Sequence, residues 1–299
     1  MKILKLIELM RPKQWIKNLF CFAAILFAGK LTDLNLLLIN IIAFFAFCGI
    51  SSCVYIVNDI SDIESDRIHK IKRFRPLASG DVSINEAKIL LLLLFVATVI
   101  LSLQLNWGFQ IVILFYFIIN LFYSLKVKNV VLLDVFFISI GFMLRVISGA
   151  FAIDVSISNW MIITTIFISL FLAISKRRAE LSQADLEDVG KQRKVLASYS
   201  IPFTDQLNTV AATGTIISYA LYTVSDKATE TFGTDHLIYT TPFVIYGIFR
   251  YMYLTHQKNL GESPSSIVTK DLPIIINSIL WFLISFLIIY RFKIGIPYI

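Results

Sequence analysis

The sequence predicts an all-α, multi-pass membrane bundle, and three observations carry that expectation. Of 299 residues, 57% are hydrophobic and only 16% are charged, against about 25% charged in soluble domains. The mean hydropathy is +0.77. The apolar residues also come in unbroken runs of the length a membrane helix needs, roughly 17–25 residues, without the alternation of barrel strands. Nine runs qualify: 14–30, 34–57, 88–105, 107–125, 130–152, 158–175, 204–226, 236–255 and 271–290. The expectation is a single integral membrane domain over 1–299, about nine transmembrane helices around a central cavity, with a cytoplasmic polar cap.

The first run follows an arm carrying Lys2, Lys5, Arg11, Lys13 and Lys17. It has no convincing cleavage site and reads as a retained span. Basic residues then recur in every second connection: the 58–87 loop, Lys126 and Lys128, and Lys176, Arg177, Arg178, Lys191, Arg193 and Lys194 in 176–203. The intervening connections hold only Lys30 and Lys227. By the positive-inside rule the N-terminus and both charged loops face the cytoplasm, in the cytoplasmic membrane, and nine spans leave the C-terminus outside. The net charge of +7 therefore reports topology and anionic partners, membrane lipids among them, and not nucleic acid. Cys21, Cys48 and Cys53 all fall in apolar runs and read as small buried side chains without a disulfide or metal role.

At the end of the second run stands Asn58-Asp59-Ile60-Ser61-Asp62-Ile63-Glu64-Ser65-Asp66. On a continuous helix Asp59, Asp62 and Asp66 share one face. Three carboxylates so placed repel one another, and a hard cation such as Mg²⁺ relieves that repulsion while bridging to phosphate oxygens. A solvated acidic helix end is the plain alternative. Arg67, Lys70, Lys72, Arg73 and Arg75 follow within one loop, so metal-holding acids lie beside phosphate-holding cations. That combination points to a diphosphate site.

The second charged region begins Ser175-Lys176-Arg177-Arg178-Ala179-Glu180, followed by Asp185, Glu187, Asp188 and Tyr199. Lys176 and Glu180 form an i, i+4 pair on a helix. Basic residues snorkelling to headgroups would look the same, but the region recurs on the same side as the first. Arg145 lies deep in the fifth run, where a lone guanidinium is costly and normally faces a cavity or a partner. Asp134 is eleven residues earlier, near the same face. We expect Arg145 to line the cavity. His69, His236 and His256 have no second ligand at a metal-like spacing and read as surface residues. A transporter would place its ionisable groups near the midplane, whereas here they gather at one face.

Asn58-Asp59-x-x-Asp62-x-x-x-Asp66, with Arg73-Phe74-Arg75-Pro76-Leu77-Ala78-Ser79-Gly80, resembles the first signature of the UbiA-type intramembrane prenyltransferase superfamily. The nine-run frame and Tyr123-Ser124 with Lys126 and Lys128 are similar as well. Family members that prenylate a small acceptor generally carry a second Asp-x-x-x-Asp pair, and this chain has none: Val189 stands four after Asp185, and Gln192 four after Asp188. Lys176-Arg177-Arg178-Ala179-Glu180-Leu181 takes that place. With Arg11-Pro12-Lys13-Gln14-Trp15-Ile16-Lys17-Asn18, the pattern is closest to the decaprenyl-phosphate phosphoribosyltransferase branch.

That resemblance implies a transferase of cell-wall precursor biosynthesis, moving 5-phosphoribose from phosphoribosyl diphosphate to a polyprenyl phosphate lipid and releasing diphosphate. The alternative is prenyl transfer from a polyprenyl diphosphate to an aromatic or other small acceptor. The chemistry favours the first reading, because three separate anions must be gathered and each charge-assisted contact to phosphate is strong. Mg²⁺ is the implied cofactor, held by Asp59, Asp62 and Asp66, with Asp59, Asp62 and Asn58 as the catalytic group. Substrate contacts are expected from Lys17, Asn18, Arg67, Arg73, Arg75, Tyr123, Lys126, Arg145, Lys176, Arg177, Arg178 and Glu180. Inversion at the ribose carbon is the expected stereochemistry.

Overall fold

A computed structural model of the chain describes residues 2–68, 71–183, 194–258 and 264–291. His69, Lys70, Asp185, Glu187, Asp188, Lys191 and Arg193 lie outside the described residues. Within them every regular element is helical. The α-helices are α1 (Lys2–Leu9), α2 (Ala23–Phe27), α3 (Leu34–Ser61), α4 (Ile63–Ile68), α5 (Ile84–Ser102), α6 (Trp107–Leu125) and α7 (Leu133–Ala152). They continue as α8 (Asn159–Gln183), α9 (Ile201–Thr223), α10 (Asp226–Phe232), α11 (Thr241–Gln257), α12 (Pro264–Lys270) and α13 (Leu272–Tyr290).

Six of these helices, α3, α5, α6, α7, α8 and α13, are long and apolar enough to cross a membrane. The other three expected runs are helical but differ from simple spans. The first is a 3-10 helix over Pro12–Phe22 followed by the short α2. Its entry is set by Arg11, held in the left-handed region at φ 55°, and by Pro12, which cannot donate to a preceding turn. The second, α9, is long but carries Thr204, Asp205, Gln206, Asn208, Thr209, Thr213 and Thr215. The third, α11, has only 17 residues.

Local sequence sets the helix starts. Asp33 caps α3 by accepting from the amides of Asn35 and Leu36 at 3.0 and 3.2 Å. Ser83 and Glu86 form a reciprocal capping box at α5. Ser200 and Asp271 cap α9 and α13. These groups satisfy amides that have no partner inside the helix.

Four apolar clusters pack the described helices, and the two largest make up the body of the bundle. One joins α3, α6 and α7 through Phe47, Ile50, Phe109, Tyr116 and Leu144, with Leu91, Leu94 and Leu101 of α5 packed against it. The other joins α8, α9, α11 and α13 through Phe171, Ala211, Ile248, Tyr251 and Ile274. α7 packs against both α6 and α8 and so connects them. The 3-10 segment lies on α3 and α7 with backbone contact, because a Cβ on Gly149 would come 1.9 Å from the Cys21 carbonyl oxygen. Asn40 ties the same crossing, its amide 3.4 Å from the carbonyls of both Cys21 and Gly149. This close fit brings Lys17 and Asn18 beside α7, where the cavity described below opens.

Candidate active site

α3 stops at Ser61, and Asp62 sits at the break with φ −99° and ψ 8°. The chain turns there into α4, so Asp66 is carried on a separate short helix. One continuous helical face for Asp59, Asp62 and Asp66 is therefore not what forms. Asp59 and Asp66 are buried, and both face Arg75: its Nη1 is 3.1 Å from Asp59 Oδ1 and 2.6 Å from Asp66 Oδ2. Asp59 Oδ1 also accepts from Arg11 Nη2. Asp62 pairs separately with Lys128 Nζ at 2.9 Å. Asn58 accepts from the Ser124 hydroxyl, which joins α3 to the end of α6.

The donor set suits a hard cation. Two buried carboxylates reach one positive centre, and Mg²⁺ is typically held by one or two carboxylates with substrate phosphates and water completing the shell. Among the described residues no group of three His, Cys, Asp or Glu side chains converges closely enough to hold a metal alone. Asp59 and Asp66 are the residues that would hold it here, while Asp62 is engaged by Lys128.

The second charged region is built differently. Arg177 is fully buried, its Nε 2.7 Å from Asp134 Oδ2 and its Nη1 2.6 Å from Glu180 Oε2. Tyr199 donates to Asp134 Oδ1 at 2.8 Å and accepts from the Leu132 amide at 2.9 Å. Burial, and then the adjoining Asp134 carboxylate, push the Tyr199 hydroxyl well above its ordinary range, so it stays a donor. Lys176 approaches Glu180 at 3.7 Å, as its spacing suggested. Arg178 points away, to Asp205 at 2.6 Å and the Thr255 carbonyl at 3.0 Å. His256 joins that pair, Nε2 3.0 Å from Asp205, and is half-buried rather than a surface residue.

Between the two regions lies a cavity of about 410 Å³. Five cations line it: Arg11, Lys17, Arg145, Lys176 and Arg177. Asn58, Tyr55, Asn120 and Tyr123 supply neutral polar groups, and no described carboxylate lines it. Arg145 donates to Asn18 Oδ1 (2.8 Å), Gly141 O (2.7 Å) and Tyr116 Oη (2.9 Å). Its guanidinium also lies within 5.3 Å of the Phe47, Tyr116 and Phe142 ring centres. Asp134 thus neutralises Arg177, and Arg145 keeps its charge facing the cavity without a carboxylate partner among the described residues. A second, largely apolar chamber of about 460 Å³ adjoins the first, and both are lined by Phe20, Leu172 and Val268. The pair of cavities fits a ligand with a polyanionic head and an apolar tail.

Of the sequence-derived contact residues, Lys17, Tyr123, Arg145, Lys176 and Arg177 line the polar cavity. Asn18 and Glu180 hold lining residues in place, Asn18 through Arg145 and Glu180 through Arg177. Arg67 is outside, 3.5 Å from Glu64 on the exposed face of α4. Arg73 lies over the Phe74 ring at 4.8 Å and is exposed, as is Lys126. Arg11, Lys128 and Asp134 belong to the site and were not singled out as contacts from the sequence. The signal for Arg11 was present in its position before Pro12, whereas Lys128 and Asp134 depend on helix packing.

The model of the UbiA prenyltransferase family matches residues 18–270. The chain belongs to the UbiA prenyltransferase family. Decaprenyl-phosphate phosphoribosyltransferase of Mycolicibacterium smegmatis is 36% identical to this UbiA-family chain over 287 residues, covering 92% of it and 89% of the relative. The protein of the same name from Corynebacterium glutamicum is 34% identical over 282 residues, covering 92% and 84%. Among solved structures, a UbiA homolog from Archaeoglobus fulgidus bound to GPP and Mg²⁺ has a TM-score of 0.71 at 18% identity, covering 95% of this chain and 99% of that one. That likeness establishes the UbiA fold for the chain.

Proposed function

We propose that the chain transfers 5-phosphoribose from phosphoribosyl diphosphate to a polyprenyl phosphate and releases diphosphate. The observation that carries this reading is the cavity lined by five cations and flanked by an apolar chamber that shares Phe20, Leu172 and Val268 with it. A prenyl diphosphate carries one anionic group, whereas this reaction gathers a diphosphate, a ribose 5-phosphate and a lipid phosphate. The named activity of relatives at 34–36% identity over 92% of the chain supports the same choice.

In this reading the carbon–oxygen bond from ribose C1 to diphosphate breaks, and a lipid phosphate oxygen forms the new bond from the opposite face. Bound Mg²⁺ supplies charge neutralisation for the leaving diphosphate. Asp59 and Asp66, with Asp62, would hold it, and Asn58 would orient a ligand beside them. Lys17, Lys176 and Arg145 hold the anionic groups in line, with Arg177 fixed behind them by Asp134 and Glu180. The lipid phosphate is already anionic near neutral pH, so no general base is needed, and catalysis comes from positioning and electrostatics.

The reading includes one integral domain of nine spans in the cytoplasmic membrane, with 14–30, α9 and α11 completing the six long apolar helices. The N-terminus and the acid-bearing loops face the cytoplasm, where charged phosphoribosyl diphosphate is soluble; the basic connections support that orientation.

The test uses purified protein in detergent with Mg²⁺, radiolabelled phosphoribosyl diphosphate and a polyprenyl phosphate, with extraction of lipid products. Label in the lipid phase is the expected result. Turnover only with a prenyl diphosphate and an aromatic acceptor would replace this reading with prenyl transfer.

A further inference from the structure

We infer that Arg11 is an exchangeable cation: it neutralises Asp59 in the ligand-free protein and moves to the donor's phosphates when metal and donor bind. The inference rests on the proposed phosphoribosyl transfer and adds a role for a residue on the first segment.

Asp59 Oδ1 accepts from two guanidinium groups, Arg11 Nη2 and Arg75 Nη1. An oxygen has two lone pairs, so both are engaged. A divalent cation reaching Asp59 Oδ1 must displace one of them. Binding through Oδ2 instead would leave the cation beside two positive charges, which repel it.

The two arginines are not equally able to leave. Arg75 is pinned by a second carboxylate, Asp66, at 2.6 Å and does not line the cavity. Arg11 has Asp59 as its only ion-pair partner among the described residues, and it lines the cavity. Its guanidinium also lies over the face of the Tyr55 ring, 5.0 Å from the ring centre, a contact that tolerates sliding of a planar cation. Its backbone, at φ 55° just before Pro12, fixes the root of the side chain beside the cavity. Released from Asp59, the guanidinium lies on the wall shared with Lys17 and Asn58, where its fork suits phosphate oxygens.

This exchange makes two demands of opposite sign on one residue. Arg11→Gln removes a competitor for Asp59, so Mn²⁺ bound without donor, followed by electron paramagnetic resonance, becomes tighter by roughly tenfold, the scale of one charge-assisted hydrogen bond. The same substitution removes a phosphate contact, so equilibrium binding of labelled phosphoribosyl diphosphate weakens by roughly tenfold. Arg11→Lys, which keeps one charge, falls between wild type and Arg11→Gln in both measurements and serves if Arg11→Gln does not fold. Unchanged or weaker Mn²⁺ binding in these variants overturns the inference, as does unchanged donor binding. A failure of the phosphoribosyl reading looks different: wild-type protein then binds a prenyl diphosphate in place of phosphoribosyl diphosphate, and the opposite shifts are read with that donor.

Discussion

The two charged regions look alike in the sequence and are built on different principles. At the end of α3, Asp59 and Asp66 are matched by Arg11 and Arg75, whose side chains are 25% and 30% exposed, and Arg11 lines the cavity. At the end of α8, Arg177 and Asp134 meet with side chains 1% and 0% exposed and are closed in further by Glu180 and Tyr199. The first set can exchange partners with a ligand. The second is locked, because separating a buried pair leaves an unpaired charge in a medium that solvates it poorly. In the proposed reaction the first region supplies exchangeable contacts, and the second holds Arg177 fixed in the cavity wall.

Breaking the locked set should have the largest effect on stability. Asp134→Asn leaves Arg177 with Glu180 alone, and thermal unfolding in detergent should show a loss of about 3 kcal/mol, the low end for breaking a buried pair. A variant as stable as wild type would mean that the two regions do not differ in this way. Asp59→Asn should leave unfolding nearly unchanged while kcat/KM for lipid labelling falls on the order of 10²–10³-fold, the scale of a lost electrostatic contact in the transition state. Equal losses of stability from Asp59→Asn and Asp134→Asn would erase the distinction.

Tyr199→Phe tests the lock more finely. It strips one donor from buried Asp134, and a destabilisation of about 1–3 kcal/mol is expected, with KM for phosphoribosyl diphosphate little altered. The smallest effect belongs to Lys128→Ala. Its pair with Asp62 is partly solvated, with side chains 25% and 35% exposed, so unfolding should shift by no more than about 1 kcal/mol. A shift as large as that of Asp134→Asn would place Asp62 in a locked network too.

Asp59, Asp62 and Asp66 were legible as one group from their spacing, but only Asp59 and Asp66 share Arg75, because α3 breaks at Asp62, which pairs with Lys128 instead. Arg145 was legible as a cavity residue because a cation in an apolar run is costly to bury without purpose. Its neutral setting of Asn18, Gly141 and Tyr116 was not, since Asn18 and Tyr116 come from two other elements. The run at 14–30 was legible as apolar, whereas its 3-10 form and close seat on Gly149 appear only in the packed bundle.

The membrane class, the positions of the long apolar helices, the acid cluster and the basic cluster can all be read along the chain without a fold. These follow from composition and from spacing within a single element, where hydrophobic runs and local charge decide the outcome. Only the tertiary structure decided which charges meet. Arg11 and Asp59 are 48 residues apart, and Arg177 and Asp134 are 43 apart. Their distances depend on how whole helices cross, which no short-range pattern encodes, and so did the difference between an exchangeable pair and a locked one.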